Sequence, residues 1–158
     1  VSALKSGNPI PVRNRVATRP WQHVLEPLSG YILLANELWC GLNDQETVLG
    51  KFHYSKFCDA FNFGPNLDSN RTVYDLVKEV LNNWEGSWED KSDPNAPHEA
   101  SLLNLSIDKA FHMLNWSPRW NFSRTVKETI SWYKAAQSKV FDAQTFTQQQ
   151  IEDYTTLN

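Results

Sequence analysis

The chain has 158 residues and a formal charge of −3, with 41% hydrophobic, 21% charged and 13% aromatic residues. That length suits one ordinary domain, and the composition is too apolar for a disordered chain and too mixed for a fibre. Lysine and arginine number 15 against 18 acidic residues, so there is no global basic field of the kind a general nucleic-acid binder needs.

In chain order, Val1 to Asn8 reads as the last turn of a helix closed by Gly7, so that the sequence starts in mid-element. Pro9 to Asn14 reads as a short extended segment, confined by its prolines to an edge or entry strand. Arg15 to His23 is polar and aromatic without a period. A helix is expected after it, with Pro27 at the first helical position, where its missing N–H is harmless. Leu28, Tyr31, Ile32, Ala35, Leu38 and Trp39 recur at helical spacing and form its predicted apolar stripe.

Residues 41–58 lack periodicity and read as a loop insertion. Ala60 to Phe63 reads as a strand ended by Gly64-Pro65. Thr72 and Asp75 resemble a capping box, with Asp replacing the usual Glu. The helix they start carries Val73, Leu76, Val77, Val80, Leu81 and Trp84 on one stripe. Trp88 falls in a strand-like piece, residues 90–98 form a polar turn, and Leu102 to Leu105 reads as a strand. Ser106 can cap a short helix that turns Ile107, Ala110, Phe111 and Leu114 inward. Residues 122–139 read as a longer helix with Phe122, Val126, Ile130 and Tyr133 on one side, and 147–154 as a last helix. The order is α/β, mostly helices with short strands, and has too few strands for a doubly wound sheet alone.

Two cysteines, Cys40 and Cys58, do not make a disulfide scaffold. No apolar run approaches the roughly 18 residues of a membrane span, and the start lacks the apolar stretch of a signal peptide. Four N-x-S/T sequons, at Asn70, Asn104, Asn115 and Asn121, are weak evidence for secretion in a chain so rich in Asn, Ser and Thr. The reading is a soluble, cytoplasmic protein with neither a membrane nor a nucleic-acid partner.

Several combinations of residues could carry chemistry. There is no Gly-x-Gly-x-x-Gly and no Gly-x-x-x-x-Gly-Lys-[Ser/Thr], and the six glycines are scattered singly, so nothing here cradles a pyrophosphate by backbone alone. Tyr74 and Lys78 have the spacing of a short-chain dehydrogenase acid/base pair but sit in an ordinary amphipathic helix with no dinucleotide fingerprint before it; they read as a chance match. Cys40, His53, Cys58 and Asp59 lack the spacing of a metal site and read as free thiols and surface groups. Arg13, Arg15 and Arg19 set guanidinium forks in a non-helical stretch beside Trp21. Such forks suit phosphate oxygens, and equally suit a solvated loop stacked on Trp21. His98, followed by Glu99, could meet a phosphate or sugar hydroxyl, or be a plain turn histidine.

Taken together, these stretches resemble the CDP-glucose 4,6-dehydratase family of extended short-chain dehydrogenases. The resemblance rests on the fifteen-residue run Ala17-Thr18-Arg19-Pro20-Trp21-Gln22-His23-Val24-Leu25-Glu26-Pro27-Leu28-Ser29-Gly30-Tyr31. It continues through Phe61-Asn62-Phe63-Gly64-Pro65, Pro97-His98-Glu99-Ala100, Lys109-Ala110, Trp116-Ser117-Pro118-Arg119-Trp120 and Trp132-Tyr133-Lys134. It covers nearly all of the chain except 41–58, and Arg15 stands where the family tends to have proline.

The resemblance implies a C-terminal, nucleotide-sugar-binding region of a Rossmann-type dehydratase, spanning 1–158. The NAD-binding region and every catalytic residue would lie upstream, outside this chain, supplied in cis or in trans. It implies CDP-glucose as ligand, converted with NAD to CDP-4-keto-6-deoxyglucose and water, and assembly as a homo-oligomer. Substrate binding is carried onto Arg19 for the diphosphate, with Trp21 in the same run, and onto Asn62, His98 and Glu99; no catalytic, cofactor or metal residue is carried onto the chain. Two other readings stay open, a non-catalytic module for a nucleotide sugar or partner chain, and a related dehydratase or epimerase for another nucleotide sugar.

Overall fold

The computed structural model describes residues 1–43, 54–93 and 103–156. The chain divides into two compact units, one of residues 1–23, 65–104 and 119–158, the other of residues 24–64 and 105–118. The first is built from helices and four strands of three residues each, the second, among the described residues, from helices.

The first unit opens on helix α1 (Ser2–Lys5). Gly7 lies at φ 68°, and the Asn8 and Gly7 N–H groups donate to the carbonyls of Ala3 and Leu4 at 2.9 and 3.1 Å. This is the paired closure that a left-handed glycine allows, as the sequence predicts. Strand β1 (Ile10–Val12) pairs in parallel with β4 (Trp88–Asp90), Ile10 opposite Trp88. Pro11, which has no N–H to donate, sits in this two-stranded edge.

Strand β2 (Thr18–Pro20) pairs antiparallel with β3 (Asn70–Thr72). Nothing in the local pattern of residues 15–23 predicts β2. Helix α3 (Val73–Asn83) follows β3 directly. Its capping box forms despite the short Asp75: the Asp75 N–H donates to Thr72 Oγ1 at 3.0 Å, and the Thr72 N–H donates to Asp75 Oδ2 at 3.1 Å. Thr72→Ala should cost about 1 kcal/mol of stability, the usual value of an N-cap, and a urea midpoint measures it.

Helix α3 packs on α5 (Phe122–Ala135), and α5 on α6 (Ala143–Thr155). Asn121 caps α5 and Asp142 caps α6 through side-chain oxygens that accept from backbone N–H groups. The buried apolar residues here include Leu4, Val12, Val77, Trp120, Val126, Ile130 and Tyr154. Val126 and Ile130 face inward as predicted, whereas Tyr133 is exposed with the Lys5 ammonium 5.4 Å from its ring centroid. Helix α6 begins four residues earlier than its sequence pattern suggests, because Asp142 supplies a cap upstream.

The second unit is organised by α2 (Leu25–Asn43) and the short α4 (Asp108–Leu114). Pro27 occupies the third helical position rather than the first; the first turn has no N–H partners inside the helix, so the ring does no harm there either. The core holds Phe57, Phe63, Ala110, Leu114 and Trp116, with Leu33, Leu34 and Leu38 of α2 packed against it. The predicted inward stripe therefore fails in part: Leu28, Tyr31, Ile32 and Trp39 are exposed, Ile32 at 71% and Trp39 at 64%. Phe111 is likewise exposed rather than inward.

Within the expected insertion, 41–43 complete α2 and 54–57 form a helical turn that places Phe57 in the core. The rest of that stretch lies outside the described residues. The strands expected at 60–63 and 102–105 do not form among the described residues. The alternation at 61–63 is real, with Phe63 buried and Asn62 exposed, but no described backbone pairs with it.

Candidate functional site

The β2–β3 ribbon of the first unit sets two arginines opposite one another. Its register sets Thr18 opposite Thr72, Arg19 opposite Arg71 and Pro20 opposite Asn70. Directly opposed residues share one face of an antiparallel pair, so the two side chains leave the ribbon on the same side.

The ribbon is held by its surroundings. The Val73 and Tyr74 N–H groups, at the start of α3, donate to the carbonyls of Ala17 and Arg15 at 2.9 and 3.0 Å. The Trp21 indole N–H donates to the Arg71 carbonyl at 2.9 Å, and the Trp21 backbone N–H donates to the Arg19 carbonyl at 3.1 Å. Asn70 Nδ2 donates to Asn104 Oδ1 at 3.0 Å. The Trp21 indole thus ties the residue that follows β2 to the middle of β3, and this is the place the structure gives to Trp21.

Arg19 is half-buried, and its Nη1 donates to the Thr18 carbonyl at 2.9 Å. Arg71 is exposed. The hydrogen bond from the Thr72 hydroxyl is the main cause that holds the Asp75 carboxyl below the usual carboxylate range, with the charges of Arg71 and Lys78 acting in the same sense. Of the other arginines singled out, Arg15 is turned to Asp90 at 3.8 Å, and Arg13 is exposed beyond β1. Arg71 was not legible as a partner for Arg19: it is far along the chain, and only the strand register brings it across.

Asn62 belongs to the second unit and is exposed between two packed phenylalanines. His98 and Glu99 lie outside the described residues. His23, two residues beyond Trp21, is buried with its ring 4.8 Å from that of Trp120. Desolvation lowers its pKa from 6.5 to about 4, so it is neutral at physiological pH.

Tyr74 and Lys78, which read as a chance match, have packing roles, and His53 lies outside the described residues. The Lys78 ammonium lies 4.8 Å from the Tyr74 ring centroid, and that ring meets Trp88 edge-on at 5.4 Å. Cys40 and Cys58 are exposed free thiols, and Asp59 pairs with Lys109. Among the described residues no group of three or more His, Cys, Asp or Glu could hold a metal ion. No helix among them is long and apolar enough to cross a membrane.

No family model matches the chain. The chain is 36% identical over 135 residues to a CDP-glucose 4,6-dehydratase of Salmonella typhimurium (strain LT2), a match that takes in 84% of this chain and 34% of that enzyme. The chain thus spans about a third of the length of the curated relative it matches. The likeness to CDP-glucose 4,6-dehydratases drawn from the sequence therefore holds across most of the chain.

Proposed function

We propose that this chain is the nucleotide-sugar-binding, C-terminal part of a cytoplasmic, NAD-dependent CDP-glucose 4,6-dehydratase of Rossmann type, with CDP-glucose as its ligand. The observation that carries the reading is the similarity to the Salmonella enzyme along most of the chain. Arg19, inside the longest stretch of resemblance, gives it a chemical anchor: a guanidinium on a braced strand can pair two N–H groups with the oxygens of a diphosphate. Asn62, His98 and Glu99 are proposed as further substrate contacts, and Trp21 as the residue that braces Arg19.

NAD does not fit the residues present. The sequence has no glycine-rich dinucleotide loop, and its glycines stand singly. Cofactor binding and the hydride and water-elimination steps are therefore assigned to another region, and no step is routed through this chain. Its part is to hold the substrate: binding remote groups of the nucleotide sugar orients the reacting ring without touching it.

The exposed apolar side of α2, with Leu28, Ile32 and Trp39, supports a partner region. Such a surface is what a larger assembly covers. The region would correspond to the part of the relative that lies outside the match, in the same polypeptide or in a separate chain, and the complete protein is proposed to act as a homo-oligomer.

Isothermal titration of CDP-glucose into the natural full-length protein tests the reading, with dTDP-glucose and GDP-glucose as comparisons. Arg19→Gln should weaken CDP-glucose binding by about tenfold or more, the scale of one charge-assisted hydrogen bond. Equal affinity for the three nucleotide sugars would remove the CDP assignment. A change of less than about twofold on Arg19→Gln would remove Arg19 as the anchor.

A further inference from the structure

We propose that Lys109 is a positioning residue: its ammonium fastens the segment 59–63 and so sets the place of Asn62. The inference rests on the reading above for Asn62 as a substrate contact, but its evidence is the fastening itself.

Residues 60–63 belong to no helix or strand, and no described backbone pairs with them. Backbone groups outside a helix or sheet must be met by side chains or water. Here one ion pair takes both polar groups of Ala60. Asp59 Oδ1 accepts the Ala60 N–H at 2.7 Å, Asp59 Oδ2 accepts the Lys109 ammonium, and the same ammonium donates to the Ala60 carbonyl at 2.9 Å. The three bonds close a ring, so Lys109, on α4, sets the course of the chain as it leaves Asp59. The hydrogen bond from Lys109 is also the main cause that holds the Asp59 carboxyl below the usual carboxylate range, followed by the bond from Ala60.

The fastening continues to the neighbours of Asn62. The Lys109 ammonium lies 4.5 Å from the Phe61 ring centroid, and that ring stacks with Phe57 and with Phe63 at 6.4 Å each. On the other side Phe63 is seated in the core, edge-on to Trp116 at 5.0 Å. Phe63 is buried outright whereas Phe61 is half-buried, so the side of Asn62 toward Phe61 is the one that depends on Lys109. Asn62 itself is exposed. Its backbone is held from both sides while its amide stays available, and an amide offers both the donors and the acceptor that a hydroxyl-bearing ligand needs.

The ion pair contributes little to stability. The Lys109 and Asp59 side chains are 36% and 67% exposed, and exposed pairs are screened and opposed by side-chain entropy. Losing it should free a short segment without unfolding the unit, which separates positioning from folding.

The test uses the natural full-length protein. Without ligand, Lys109→Met should speed amide hydrogen exchange across 59–63 by about threefold or more, while the urea midpoint stays near that of wild type. With CDP-glucose titrated calorimetrically, Lys109→Met should weaken binding about fivefold and Asn62→Ala about tenfold. Added to Asn62→Ala, Lys109→Met should weaken binding by less than about a further twofold, because the amide it positions is gone.

Unchanged exchange across 59–63 overturns the fastening, and a large drop in the urea midpoint overturns it too by making Lys109 a structural residue. An affinity of either single variant within about twofold of wild type overturns the route through Asn62. So does a Lys109→Met loss of the same size in both backgrounds. In each of these cases, CDP-glucose binding by the wild type leaves the proposed function standing. If exchange speeds as expected and the wild type does not bind CDP-glucose, the fastening stands and the nucleotide-sugar reading falls.

Discussion

Phe63→Ala should cost the protein about 3–5 kcal/mol of folding stability, the range for removing a well-packed aromatic ring. Phe63 is buried in the core of the second unit. Its ring meets Trp116 edge-on at 5.0 Å and Tyr31 edge-on at 5.4 Å, and it stacks with Phe61 at 6.4 Å. It also lies directly on the backbone of α2: a Cβ added at Gly30 would run into the ring's Cγ, Cδ1 and Cε1. Gly30 is therefore the notch that lets the ring seat, and Gly30→Ala should itself cost about 1–3 kcal/mol by overpacking.

The two effects are coupled. In a Phe63→Leu background the smaller side chain should make room, so Gly30→Ala should cost less there than in the wild type. Urea unfolding of the four variants measures this. A Phe63→Ala cost below about 1 kcal/mol would mean that the ring does not hold the core. An identical Gly30→Ala cost in both backgrounds would mean that the notch does not serve the ring. Since whole domains are stable by only about 5–15 kcal/mol, the single change to Ala is expected to leave the second unit close to unfolding.

The same residues show where local sequence is informative and where it is not. Caps are written into a few adjacent residues, so Gly7 closing α1 and Thr72 with Asp75 opening α3 were legible from one short stretch each. Ile10–Val12 was legible as extended and Trp88 as part of a strand, though not as partners, and Asp90, which read as turn, completes β4. Strand β2 was not, because Thr18-Arg19-Pro20 has no alternation and is extended only through its pairing with Asn70–Thr72. The converse holds at 60–63. There the alternation is correct, but a strand needs a backbone partner, and what meets Gly64 is the side chains of Leu105 and Ile107.

Helix α2 defeated the stripe argument for a different reason. It is apolar on two sides, so a period of 3.6 identifies a helix without saying which side is packed. Leu33 and Leu34 lie against the core, and Leu28 and Ile32 do not. The candidate site was half legible in the same way. Arg19 could be picked out as a guanidinium in a non-helical stretch beside Trp21, whereas Arg71 acquires meaning only from the register that sets it opposite.

Mild acid should destabilise the protein well before its carboxylates protonate. His23 is buried, and desolvation lowers its pKa to about 4 from the usual 6.5. A histidine whose folded pKa lies below its unfolded value binds protons more readily in the unfolded chain. Its effect is nil above the unfolded value, and stability falls as pH drops from about 6.5 toward about 4. A shift of that size corresponds to about 3 kcal/mol at the lower end of the window.

The lowered carboxyls of Asp59, Asp75, Asp90 and Asp142 work in the other window. Their stabilisation is complete above the ordinary carboxylate pKa of about 4 and is lost as pH falls through their folded values. Among the described residues with a shifted pKa, His23 is the one that acts between about pH 6.5 and 5. Its ring lies 4.8 Å from that of Trp120. A proton on His23 would enter a desolvated place. Urea unfolding at pH 7.5, 6 and 5 should show the stability dropping stepwise in the wild type and nearly level in His23→Phe. A wild-type stability that stays flat from pH 7.5 to 5 would show that His23 titrates alike in the folded and unfolded chain.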